Sequence, residues 1–127
     1  MVVGLGVDIL DVDRMDAQLR GEDAGFLRSV FTPAEIAACD GHRHRTRRYA
    51  VCFAAKEAAL KALAPDGDAG VGWPDIEVLA GPTPANALAF HRAAAAVAAR
   101  RGVTGARLSV ACTHRLALAS VVLESHP

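Results

Sequence analysis

The chain has 127 residues, which fits one domain (residues 1–127) with a modest core. Hydrophobic residues make up 52% but aromatic ones only 5%, so the core is expected to rest on small side chains, alanine above all, with a partner surface to complete it. Lys plus Arg and Asp plus Glu both number 14, which excludes a global attraction to nucleic acid or to an anionic membrane.

Val2 to Ile9 is β-branched and apolar with two glycines, and predicts a buried first strand. The same opening has no basic run and reaches Asp8 too early for a secretory signal, and no apolar run is long enough to span a membrane. The expectation is a cytoplasmic protein. Leu10 to Leu19 predicts a short helix, with Asp11 or Asp13 near its start and Arg20-Gly21 closing it. Phe26 to Phe31 adds a further turn or two. Thr32-Pro33-Ala34-Glu35 is a helix start: Thr32 as N-cap, Pro33 at the first helical position and Glu35 completing a capping box. That helix runs to about Cys39 and ends at Asp40-Gly41.

His42, Arg43, His44, Arg45, Arg47 and Arg48 then crowd one segment. It reads either as a solvated loop with a first helical turn or as a site for phosphate or an acidic partner. A long helix follows from Thr46 to Leu63, stopped by Pro65. Phe53, Leu60 and Leu63 mark an apolar stripe on it, and Glu57 lies on that stripe with Lys56 flanking. A carboxylate on a buried face needs a cation. Lys61, one turn on, is one candidate partner; a metal ion is the other.

Asp66 to Gly72 is a glycine-rich connection, Trp73 to Leu79 a strand, Ala80 to Pro84 a turn. Asn86 to Arg101 predicts an alanine-rich helix closed by Gly102. Arg107 to Cys112 and Leu116 to Leu123 predict two strands joined by Thr113-His114-Arg115. Helices followed by locally paired strands indicate an α+β architecture. The three cysteines, Cys39, Cys52 and Cys112, are odd in number and lack metal-type spacing, which argues against a disulfide framework and a zinc site. Cys52 and Cys112 are expected to be small buried packing residues. Asp8 alone reads equally as a strand-end acid capping a turn.

Several segments, in order, resemble the holo-acyl-carrier-protein synthases, the small-type 4′-phosphopantetheinyl transferases. They are Gly6-Val7-Asp8-Ile9 with Val12-Asp13-Arg14-Met15, then Phe31-Thr32-Pro33-Ala34-Glu35, then Phe53-Ala54-Ala55-Lys56-Glu57-Ala58 with Lys61-Ala62-Leu63. Trp73 to Val78 and Ser109 to Val122 are similar to the family's later strands. The resemblance implies a small antiparallel sheet packed against a long helix, a homotrimer, and transfer of phosphopantetheine from coenzyme A to a serine of an acidic acyl carrier protein, with release of 3′,5′-adenosine bisphosphate. It implies Mg²⁺ held by Asp8 and Glu57, with Glu57 or a water beside it taking the serine proton. Lys61 then meets the transferred phosphate, and Lys56 helps on the coenzyme A phosphates. Arg43, His44 and the neighbouring cations fall where family members hold the nucleotide. Arg14 matches a position facing the carrier, and Arg20 and Arg28 extend that face.

Three positions depart from the family pattern. Cys52 stands where arginine is common, and this loses a fixed cation. Cys112 stands where many members have histidine, with His114 two residues on as a substitute. Ala64-Pro65-Asp66-Gly67 replaces a glycine loop, so Pro65 removes an amide that could meet phosphate. These changes keep two other readings open: a non-catalytic coenzyme A- or carrier-binding homologue, and a Mg²⁺-dependent phosphohydrolase.

Overall fold

A computed structural model describes residues 1–21, 24–80 and 87–127. In chain order the elements are β1 (Val2–Asp11), α1 (Val12–Gly21), α2 (Ala24–Val30), α3 (Pro33–Asp40), α4 (Arg45–Leu63), a 3-10 turn (Trp73–Asp75), β2 (Ile76–Val78), β3 (Leu88–Phe90), α5 (Arg92–Arg100), β4 (Gly105–Cys112) and β5 (Leu116–Glu124). β1, β5 and β4 form an antiparallel sheet in that order, and β2 and β3 form an antiparallel pair. α4 packs across the larger sheet, so the architecture is the expected α+β.

Alternation sets the faces of that sheet. Ala117, Ala119, Val121 and Leu123 of β5 are buried, while the intervening residues are only partly covered. Gly4, Gly6 and Asp8 of β1 lie opposite Leu123, Val121 and Ala119 and so share the inner face. The two glycines are required there. A methyl group on Gly6 would collide with the Ala58 carbonyl oxygen, and one on Gly4 with that of Ala62. Alanines on α4 and glycines on β1 together let helix and strand approach closely.

Both ends of α4 are tied down. Asp40 Oδ1 accepts from Tyr49 Oη and Arg45 Nε, each at 2.8 Å, which joins the end of α3 to the first turn of α4. At the other end Ala64 adopts the left-handed conformation (φ 44°) and its amide reaches the Leu60 carbonyl at 3.0 Å. The Arg101 guanidinium, just beyond α5, donates to the carbonyls of Ala62 and Leu63 at 2.7 Å each and also to that of Val3. One side chain thus caps the helix and fastens it to β1.

The capping box of α3 forms as expected: Thr32 Oγ1 accepts from the Glu35 amide at 3.2 Å, and Glu35 Oε1 accepts from the Thr32 amide at 2.8 Å. Other boundaries differ. β1 continues through Leu10 and Asp11, whose carboxylate caps α1 through the Asp13 amide at 2.8 Å. Trp73 to Asp75 form a 3-10 turn, so only Ile76 to Val78 of that predicted strand pair. The predicted helix from Asn86 fails at its start. Leu88 to Phe90 are a strand pairing Val78 to Ile76, and α5 begins at Arg92. Cross-strand pairing there outweighs the helix preference of alanine. Asn86 and residues 81–84 of the predicted turn lie outside the described residues.

Candidate functional site

Asp8 follows Gly6 on the inner face of β1, and the close approach of α4 presses its carboxylate against the helix. It is 8% exposed. Lys61 Nζ donates to Asp8 Oδ1 at 2.9 Å and to the Val7 carbonyl at 3.0 Å. Asp8 Oδ2 is buried with no hydrogen-bond partner. Glu57, half-buried on α4, stands beside it. Burial, and then the Asp8 charge, push the Glu57 pKa upward. The hydrogen bond to Asp8 raises that of Lys61. Two carboxylates therefore stand side by side, one with an orphaned oxygen, with an exposed ammonium bonded to the other oxygen of Asp8.

That donor set fits a hard divalent cation. Mg²⁺ takes one or two carboxylates and fills the remaining positions with water and substrate oxygens. Among the described residues no group of three or more His, Cys, Asp or Glu gathers at one point.

α4 corrects the expectation about which charge is buried. Phe53, Glu57 and Leu60 are only partly covered, and Lys61 is exposed. The buried side instead carries Ala54, Ala55, Ala58, Ala59 and Ala62, each at most 2% exposed. The fully buried charge is Lys56, whose Nζ donates to Glu35 Oε1 at 2.7 Å and to the Ile76 carbonyl. Its place inside the protein does not match a role on coenzyme A phosphates. Lys61 bonds Asp8 rather than Glu57, so the expected pair one turn apart on the helix does not form a hydrogen bond.

Glu57 also lines a cavity of about 430 Å³ between β1, α1, α2 and α4, with Arg14 and Gln18 at its wall and Met15, Phe26 and Phe53 as its apolar lining. Arg14 is thereby placed beside the carboxylate site. Arg20 and Arg28 are not. Arg20 pairs with Asp16 at 2.7 Å, and Arg28 is exposed on α2.

The basic segment builds a second cavity, of about 250 Å³. His42, His44, Arg47 and Arg48 form one wall, its fixed positive charge carried by the two arginines, against Val110 and Cys112 of β4. Arg47 Nη2 donates to His114 Nδ1 at 2.7 Å, so the β4–β5 turn does bring His114 to this group. The charge of Arg47, foremost among several nearby cations, lowers the pKa of His44. Arg43 does not line the cavity, and Arg45 is held by Asp40. Cys112 is exposed here, contrary to the expectation of burial, because it ends the edge strand β4, whose last residues are all exposed. Cys39 and Cys52 are buried, and a hydrogen bond between them, with burial, pushes the Cys52 thiol up.

Sequence reasoning included Arg47 in the basic run without singling it out, and did not assign the glycine pair to the site. The usable signal was Gly4 and Gly6 at two-residue spacing before Asp8, which marks a strand face where another backbone comes close.

Known proteins match this arrangement along the whole chain. The family model of the 4′-phosphopantetheinyl transferase superfamily matches residues 4–118. A holo-(acyl-carrier-protein) synthase of Koribacter versatilis is 41% identical over 124 residues, covering 98% of this chain and 99% of that protein. One of Anaeromyxobacter dehalogenans is 44% identical over 128 residues, covering 98% and 97%. The crystal structure of a holo-(acyl-carrier-protein) synthase from Bacillus anthracis in complex with coenzyme A (3′,5′-ADP) superposes with a TM-score of 0.76 at 28% identity, covering 99% of each chain. With Asp8, Glu57 and Lys61 all inside the matched span, the chain belongs to the 4′-phosphopantetheinyl transferase superfamily.

Proposed function

We propose that this protein is a holo-acyl-carrier-protein synthase. It transfers 4′-phosphopantetheine from coenzyme A to a serine hydroxyl of an acyl carrier protein and releases 3′,5′-adenosine bisphosphate. The observation that carries this reading is the Asp8–Glu57 carboxylate pair with its orphaned Asp8 Oδ2 and Lys61 alongside.

The reaction breaks a pyrophosphate bond, so negative charge must be met on both sides of the phosphorus. Bound by Asp8 and Glu57, Mg²⁺ would neutralise the pyrophosphate oxygens and the charge on the departing phosphate. Lys61 is exposed and joined to Asp8 only through its flexible end, so its ammonium can turn to the transferred phosphoryl group. Glu57, or a water beside it, accepts the serine proton. Arg14, at the cavity beside Glu57, offers a cation to an acidic carrier surface.

The Arg47, Arg48, His44 and His114 group suits the anionic nucleotide end of coenzyme A. Arg47 and Lys61 stand about 21 Å apart along α4 at about 1.5 Å per residue. The diphosphate and 3′-phosphate of coenzyme A share one ribose, which is a much shorter separation. The two groups of one copy meet the same ligand only if both side chains reach toward each other along the helix, whereas a site shared between copies needs no such reach. The outer face of the sheet supports this, since Leu5, Val7 and Ile9 are 65%, 52% and 59% exposed in a single chain. The family resemblance makes that assembly a homotrimer. Three free thiols, two of them buried, suit the reducing cytoplasm.

Incubation of an apo carrier protein with coenzyme A, Mg²⁺ and this protein, read by mass spectrometry, tests the reading. The expected product is a carrier carrying phosphopantetheine, with no product from Asp8→Asn. Pantetheine phosphate free in solution would make the protein a phosphohydrolase, and unchanged coenzyme A would make it a binding homologue.

A further inference from the structure

The interior of α4 holds an ion pair that the transfer chemistry does not use. Lys56 Nζ is fully buried, 2.7 Å from Glu35 Oε1, and lies 5.9 Å from the centre of the Phe31 ring. Glu35 is equally enclosed. Its Oε1 also accepts from the Thr32 amide at 2.8 Å, and its Oε2 accepts from the Val78 amide at 2.7 Å. Lys56 completes the set with the Ile76 carbonyl. One carboxylate and one ammonium thus join the first turn of α3, strand β2 and the middle of α4.

Such a pair is a poor source of stability. Both ions lose their water, and an apolar pair of equal volume commonly serves as well. What it supplies is direction, because every bond has a fixed angle. α4 has need of that. The surface it turns to β1 consists of Ala58 and Ala62 against Gly4 and Gly6. Alanine on glycine makes a smooth contact, so the setting of the helix is left to polar bonds: Lys61 to Asp8 and Arg101 to Ala62, Leu63 and Val3 toward its end, and the Glu35–Lys56 pair in its middle. Glu57 is the next residue along α4 from Lys56, so any rotation of the helix about its axis moves the Glu57 carboxylate relative to Asp8 on β1.

We propose that Glu35 and Lys56 are positioning residues that fix the rotation of α4 and so hold Glu57 opposite Asp8. The inference rests on the reading of those two carboxylates as the cation site, and it assigns Lys56 a task inside the protein instead of on the coenzyme A phosphates.

The double variant Glu35→Gln/Lys56→Met removes both charges at nearly constant volume. Melting followed by circular dichroism, Mn²⁺ affinity by electron paramagnetic resonance, transfer kinetics and a crystal structure of the variant form the test. The variant is expected to melt cooperatively, yet to bind Mn²⁺ at least tenfold more weakly and to lose kcat. Its KM for the carrier should change less than twofold, and its Asp8 and Glu57 carboxylates should stand further apart or in several arrangements. A folded variant with Mn²⁺ affinity, kcat and carboxylate geometry like the parent overturns the proposal. If the parent binds no Mn²⁺, the cation reading falls, and the variant's carboxylate geometry alone decides the positioning role. Glu35→Asp, which keeps the charge but shortens its reach, serves if the double variant does not fold. A smaller loss in the same direction supports the proposal, and parental values overturn it.

Discussion

Glu57 is a residue whose folded environment works against its charge. Burial and the neighbouring Asp8 raise its pKa above the ordinary 4.5. An acid whose pKa rises on folding binds its proton more readily in the native state, so native stability falls as pH climbs from the ordinary value through the raised one. At neutral pH without a divalent cation, ionised Glu57 therefore costs stability. Glu57→Gln is expected to melt higher than the parent in chelator at neutral pH, and the gap should close below about pH 3.5, where the parent carboxyl is largely protonated in both states. Mg²⁺ should reverse the order. At a hundredfold excess over its dissociation constant a bound ion adds about 2.7 kcal/mol to the parent, and the variant, with one ligand gone, should gain much less. Thermal melts in chelator and in Mg²⁺ across this pH range check both parts. A variant that melts lower than the parent in chelator would mean that Glu57 is a stabilising partner of Lys61 and not half of a strained carboxylate pair.

At the scale of elements, the site depends on how closely β1 and α4 can meet. Gly6→Ala is expected to destabilise the protein by about 3 kcal/mol, because the added methyl meets the Ala58 backbone, which cannot swing aside as a side chain would. Mn²⁺ affinity should fall with it, since Asp8 lies two residues on. Gly21→Ala meets nothing within 4 Å and should be neutral or slightly stabilising, which makes it the control in the same urea titrations. A neutral Gly6→Ala would show that helix and strand have room to spare. This contact also explains what the sequence did and did not disclose. The α3 capping box, the ends of α4 and the paired strands β4 and β5 were legible because each is set by neighbours within a few residues. Asp8, Glu57 and Lys61 were legible as a motif, but the partner of Gly6 lies more than fifty positions away. The apolar stripe of α4 misled for a related reason. A helix enclosed on most sides hides its alanines, and Phe53 and Leu60 are left on the open side beside Glu57. Leu88 to Phe90 went unread as a strand because only their pairing with β2 holds them extended.

At the scale of the whole molecule, one chain leaves an apolar sheet face in water. Leu5, Val7 and Ile9 of β1 point away from α4, and Leu5 and Ile9 stand across from Val122 and Leu118 of β5. A face of this kind on a small protein is ordinarily covered by another copy, and closed symmetry limits the assembly to a few copies. The length of α4 points the same way, because it separates the cationic cavity at its start from the carboxylates near its end. Leu5→Glu places a charge in that face without touching Asp8, Glu57 or Lys61. Light scattering behind size-exclusion chromatography should find the parent as a trimer and the variant as a monomer. The monomer should keep its Mn²⁺ affinity, since both carboxylates come from one chain, but lose at least tenfold in transfer and in coenzyme A affinity. Mixing it with an excess of Asp8→Asn protein, which contributes an intact outer face and cationic cavity but no working carboxylate pair, should restore part of the transfer. A monomeric parent with full activity, or a Leu5→Glu monomer that transfers at the parental rate, would place the whole site within one chain.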